Sequence, residues 1–349
     1  MAFKRSRLWI SVFLIFLFFP QFTVASDTLA LEIQEPQPYS IDRDGTFVFT
    51  GDFLIYQIDD EYWSADKNPR KLDMRQDHIV RWQSMAYEEG NPVSSKTIMR
   101  HGADIYAGSS SGRDTTYPAG SIQNPYPRLE DALKVANEGY QCKIHLVSDI
   151  NLENSYYLYQ DCTIDGGDHT IFFDCNSLLL VLDAELQFEL CVLKKESDAS
   201  YNDCMIKAEK SILSFYDCEL SGSFLETASI LELNESRLNF TGGGLTMQSK
   251  EYSVLINSSN SSISIDESRL TCTGIHATAL SVNGGSCSLV NSSCTLWGEL
   301  GRMVEASGTR LSLYGNTFTG HLSKGDGRSL YIDEICTVIQ DEDNSEVFD

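Results

Sequence analysis

The chain has 349 residues, with 50 acidic and 26 basic side chains and a formal net charge of -24. Such a length accommodates one or two domains or a single long solenoid. The acidic excess repels nucleic acid and polyanionic substrates, and leaves divalent cations, basic partners and neutral glycans as compatible ligands.

Residues 1–25 read as an export signal. Lys4, Arg5 and Arg7 form a basic start, Leu8 to Phe19 an apolar core, and Thr23-Val24-Ala25 a small-residue cleavage point. A run of about twelve apolar residues is too short to span a bilayer. No later stretch is long enough either, so the expectation is a secreted, periplasmic or cell-surface protein without a membrane span. Losing three basic and no acidic side chains with the signal takes the charge from -24 to -27.

Residues 26–101 form an N-terminal extension, partly β. Phe47, Phe49, Phe53 and Tyr56 predict a hairpin turning at Gly51-Asp52, and Tyr62-Trp63 a third strand. Asp77 to Glu88 fits a short helix or, through Val80 and Trp82, a strand. Asp42-x-Asp44-Gly45 reads as a turn, because the remaining ligands of a calcium loop are missing. Beyond residue 102 the pattern changes. Leu129, Ala132, Leu133 and Ala136 lie at i, i+3, i+4 and i+7, one face of a helix near 128–138, with Gly139 placed to end it. A helix directly ahead of strands suits a cap over the unpaired edge of a first coil.

Between Tyr157 and Phe318 one unit, apolar-x-apolar-x-x-(Cys/Ser/Asn)-x-apolar, returns seven times. The copies begin Tyr157/Tyr159/Cys162/Ile164, Leu186/Phe188/Cys191/Leu193, Leu213/Phe215/Cys218/Leu220 and Leu231/Leu233/Ser236/Leu238. They continue Ile263/Ile265/Ser268/Leu270, Cys287/Leu289/Ser292/Cys294 and Leu311/Leu313/Asn316/Phe318. Their last members stand 29, 27, 18, 32, 24 and 24 residues apart. A fixed short unit at a variable longer period predicts an all-β solenoid whose loops differ in length. Apolar residues seven positions upstream (Ile206, Ile256, Leu280, Val304) add a second strand to each coil. The acidic tail, Asp341 to Asp349, reads as solvated.

The lead-in to these repeats runs Ile105-Tyr106, a Gly/Ser/Asp-rich loop from Ser109 to Asp114, Asn124-Pro125-Tyr126, then the amphipathic helix. It resembles the opening of pectate-lyase-like proteins. The resemblance covers 104 to 335 and implies a single-stranded right-handed parallel β-helix with an N-terminal capping helix, over 102–349. It says little of activity, since the fold hosts lyases, hydrolases, esterases, tailspikes and adhesins.

All ten cysteines fall between Cys142 and Cys336. Cys162, Cys191 and Cys218 share a slot that elsewhere holds Ser or Asn, so free, stacked thiols are expected in preference to obligatory disulfides.

Chemistry in such a scaffold sits on its loops and one outward face. Long turns are expected at Asp165–His169, Lys194–Asp203, Thr241–Ser253 and Thr319–Ser329. Asp165, Asp168 and His169 have the residue types to bind Ca2+ or do acid–base work, and also those of an ordinary turn. His321, Asp326 and Arg328, with Lys324, form a mixed-charge cluster suited to an anionic group. Trp297 and Tyr314 are the aromatic candidates for stacking on sugars. The acid and base patterns of the fold's lyases and hydrolases are absent, and no cofactor is required. The function expected is an exported binding module for glycans or a host or cell-surface ligand. The alternative is a polysaccharide lyase or glycoside hydrolase.

Overall fold

A computed structural model describes residues 38–41, 46–73, 76–85, 93–98, 102–109, 112–138, 141–198, 203–323, 328–341 and 343–348. The export signal, the Asp42–Gly45 turn and Asp326 lie outside them. From Asp104 onward the chain winds as a right-handed parallel β-solenoid of about seven turns. Each coil lays a strand in each of three stacked sheets, here numbered in chain order. One coil contributes Glu185–Glu189 to sheet 1, Val192–Ser197 to sheet 2 and Asp203–Glu209 to sheet 3.

Alternation within each strand aims every second side chain inward, and in-register parallel pairing stacks like on like. In sheet 1 the inward row runs Ile144, Ile164, Phe188, Phe215, Phe240, Ile265, Leu289, Leu313. Phe188, Phe215 and Phe240 lie ring to ring at 5.1 and 5.5 Å and are fully buried.

Both short corners share one local grammar. A residue in the left-handed region is followed by a small one, buried except at Gly243 and Gly285. From sheet 1 to sheet 2 the left-handed residues are Leu190, Asp217, Gly242, Glu267, Asn291 and Gly315. From sheet 3 to sheet 1 they are Asp183, Lys210, Glu235, Asn260, Gly284 and Gly308. The small residues that follow build hydrogen-bonded ladders along the axis. Ala184, Ser211 and Ser236 each donate a backbone N–H to the hydroxyl one coil on, at 3.2, 3.1 and 3.0 Å. At the other corner Ser268, Ser292 and Asn316 donate to Ser292, Asn316 and Asn344 at 3.1, 3.0 and 2.9 Å. These bonds satisfy backbone groups that the sheets leave unpaired. At Gly243 the same slot tolerates no side chain, because a Cβ would stand 2.0 Å from the Cys218 carbonyl oxygen.

This grammar corrects the seven-fold reading. Leu231/Leu233/Ser236/Leu238 turns the corner from sheet 3 to sheet 1, whereas Leu213/Phe215/Cys218/Leu220 turns from sheet 1 to sheet 2. The true counterpart of the latter is Leu238/Phe240/Gly243/Leu245. In register, Leu193, Leu220, Leu245, Leu270, Cys294 and Phe318 follow at 27, 25, 25, 24 and 24 residues, so no 18-residue coil exists. The first copy is also out of phase. Cys162 and Ile164 pair with Leu186 and Phe188, and Tyr157 and Tyr159 point outward, 49% and 52% exposed. Cys162 therefore stands in sheet 1 over Cys142, while Cys191 and Cys218 occupy the corner slot. All ten thiols are free, and burial pushes those of Cys204, Cys272 and Cys287 up to about 12.

The helix α1, Leu129–Glu138, buries Leu129, Ala132, Leu133 and Ala136 against the first coil as expected. Its Glu130 accepts the N–H groups of Glu153 and Asn154 at 2.8 and 2.9 Å, and its Asn137 grips the Tyr157 and Tyr159 backbone at 2.8 and 3.0 Å. The last coil closes differently: Gln340 and Glu346 take inward register positions that Leu313 and Phe318 hold one coil earlier. Polar groups there protect an open edge.

The extension is β-rich, with its own core of Phe47, Phe49, Tyr56, Ile58, Val80 and Ile98. Thr46–Phe49 and Leu54–Ile58 belong to two different three-stranded sheets, so they are not the expected hairpin. Phe53 is 85% exposed at the bend, Tyr62 and Trp63 form no strand, and His78–Ser84 is a strand. No helix among the described residues is long and apolar enough to cross a membrane.

Candidate functional site

Asp165 and His169 make separate contacts, and Asp168 lies in the turn between them. Asp165 ends a sheet 1 strand, and its carboxylate meets Lys143 Nζ at 3.2 Å and His145 Nδ1 at 3.3 Å. Lys143 also binds Glu189 at 2.8 Å, and His145 Nε2 lies 3.0 Å from Asp104 with its ring stacked on Tyr106. Asp168 takes a φ of 69° in the turn, and His169 reaches Asp149 at 3.7 Å. Burial opposes the charge of Asp165. The hydrogen bond and charge of Lys143, the Gly167 N–H and His145 nevertheless hold its pKa below the ordinary carboxylate value. The Glu189 hydrogen bond, against some desolvation, raises that of Lys143. Both groups are driven away from neutrality, which suits a structural ion-pair network and not proton transfer at neutral pH. Among the described residues no His/Cys/Asp/Glu group is arranged to hold a metal ion.

Of the second predicted cluster, Lys324 and Asp326 lie outside the described residues, and His321 and Arg328 stand on different strands. His321 stacks face to face on Trp297, its strand partner one coil earlier, with ring centroids 3.8 Å apart. Arg328 opens the strand Arg328–Ile332 in sheet 3, where its backbone pairs with Arg302. The expected long loops are shorter too: Lys194 to Ser197 and Gly244 to Ser249 are strand. Lys195 even points inward, 2% exposed, bonded to Asp203, Ser177 and Cys204 at 2.6, 2.7 and 2.9 Å.

A concave surface lies on sheet 3, over its last coils. One cavity of about 550 Å³ is lined by Tyr252, Val254, His276, Thr278, Leu300, Arg302, Glu305 and Tyr331. A second of about 280 Å³ adds Ser281, Asn283, Ser307 and Asp333, and shares Glu305 and Tyr331 with the first. Together they form one shallow groove of ligand-binding size. Tyr252 stacks on His276 with centroids 4.3 Å apart, and both Tyr252 and Tyr331 are 49% exposed. The Arg302 guanidinium sits 3.9 Å over the Tyr331 ring and binds Glu305 at 2.7 Å, so its charge is already partnered. Asp333 accepts from the Ser307 hydroxyl at 2.6 Å and from the Gly308, Ile335 and Cys336 N–H groups. The Ser307 hydroxyl, the Cys336 side chain and the Gly308 and Ile335 N–H groups hold its pKa down to about 2.

Compared with protein-family models, curated proteins and solved structures, the chain gives no match. Sequence reasoning missed the groove because its residues are scattered over four coils. The usable signal was the 24-residue period of the late coils, which superposes Tyr252 on His276 and Trp297 on His321.

Proposed function

We propose that this chain is an exported binding module, adhesin-like or glycan-binding, whose sheet 3 groove takes neutral carbohydrate chains. The observation that carries the reading is the groove itself: half-exposed tyrosines beside hydroxyl, amide and carboxylate groups. Aromatic faces stack on the apolar sides of sugar rings, and the polar groups bond their hydroxyls. The only described guanidinium there is held by Glu305, and the net charge of -24 repels acidic polymers, which favours neutral chains. The basic, apolar and small-residue pattern of residues 1–25 supports secretion, periplasmic location or surface display.

A distant kinship to pectate-lyase-like proteins rests on the lead-in. Asn124 is buried, donates to the Tyr117 carbonyl at 2.8 Å and accepts from Arg113 at 2.6 Å. Tyr126 joins Tyr106 and Gly108 by backbone bonds of 2.8 Å. The test is a panel of neutral and acidic polysaccharides, assayed for binding by affinity electrophoresis and for turnover by new reducing or unsaturated ends. Binding of neutral polymers without turnover, weakened by Tyr331→Ala, is the expected result. Cleavage of any polymer replaces the binding module with a lyase or hydrolase.

A further inference from the structure

We infer that the protein carries a second carbohydrate platform at the opposite end of sheet 3, and that one polymer running along the solenoid axis engages both. This rests on the groove reading above. One outward row of sheet 3 passes through Tyr157, Leu180, Lys207, Glu232, Asn257, Ser281, Glu305 and Tyr331, each the register partner of the next. Tyr331 of the groove and Tyr157 are thus the two ends of a single row. At ~4.8 Å per strand, its seven steps span about 34 Å.

Three observations make the first end a platform. Tyr157 and Tyr159 both stand outward and about half exposed, next to the half-buried Leu180 and Leu182. These four positions carry no formal charge, unlike the Lys207–Glu232 pair that follows them. The backbone beneath is fixed, because Asn137 of α1 donates to the Tyr157 carbonyl at 2.8 Å and accepts the Tyr159 N–H at 3.0 Å. A pre-ordered backbone reduces the freedom lost on binding. The same side-chain chemistry as in the groove, on the same face, points to the same ligand class.

Two weak sites joined by one ligand gain avidity only when that ligand spans them. The probes are soluble neutral β-glucan and β-mannan polymers and their di- to tetrasaccharides, titrated calorimetrically against the whole mature chain. Wild-type protein is expected to bind at least one polymer at least about 100-fold more tightly than its tetrasaccharide, counted per polymer chain. The double variant Tyr157→Ala, Tyr159→Ala should lose about 10-fold or more of that polymer affinity and bind tetrasaccharide at the groove alone, with the groove's own affinity unchanged. A thermal melt identical to wild type would show that these outward side chains are not needed for folding. Equal affinity for tetrasaccharide and polymer, or a double variant that binds polymer like wild type, overturns the second platform and leaves the groove standing. If no polymer binds, the groove reading and this inference fall together.

Discussion

The two regions of this molecule richest in chemistry behave in opposite ways. On sheet 1, Asp104, His145, Asp165, Lys143 and Glu189 bring acids, a base and an imidazole within 3.3 Å of one another in successive contacts. Those contacts satisfy the cluster from within. On sheet 3, the Arg302–Glu305 pair is likewise satisfied, yet Tyr252 and Tyr331 stand half exposed over a groove. A dense set of titratable groups is therefore a poor guide to a ligand site when each already has its counter-charge. Unused surface in a concavity is a better one.

Four changes sharpen that contrast. The largest effect is expected from Phe215→Ala, which empties the middle of the Phe188–Phe215–Phe240 stack in the solenoid core. It should cost about 3–5 kcal/mol in denaturant unfolding. Next, Tyr331→Ala should weaken neutral-polysaccharide binding about 10- to 100-fold, ~1.4–2.7 kcal/mol, without moving the melting temperature, as an isotherm and a melt would show. Lys143→Ala should do the reverse. Its partners keep about a quarter to a third of their surface, so the loss is about 1 kcal/mol of stability, with the binding isotherm unchanged.

The smallest effect is a pH slope. The pKa of Asp165 is depressed in the folded state. Its contribution is therefore present above the unfolded carboxylate value of about 3.9 and lost as pH falls through the folded value. In Lys143→Ala that acid-side loss should flatten, read from thermal melts between about pH 5 and pH 2.

Much of the architecture was legible in the sequence. The capping helix, the parallel stacking and the Phe215 row followed from periodicity, because inward alternation and a small corner residue are imposed by the backbone. The error had an equally physical cause. Both corners place a small residue after a left-handed one, so Leu231/Leu233/Ser236/Leu238 and Leu213/Phe215/Cys218/Leu220 spell the same pattern on different edges. Misplacing one edge put Tyr157 and Tyr159 inside, although both stand about half exposed. The site was scarcely legible. Asp165 met partners 20 or more residues away rather than its neighbours Asp168 and His169, and the groove needs register across coils that a linear reading does not supply.

Amide hydrogen exchange with and without a saturating neutral polysaccharide tests the assignment of binding to sheet 3 most directly. Slowed exchange should be confined to that face, above all Tyr252–Ser259, His276–Asn283, Leu300–Ser307 and Arg328–Ile332. Lys143–Leu146 and Cys162–Asp165 should exchange as in the free protein. Protection centred on the Asp165 network, with the sheet 3 strands unchanged, would contradict it.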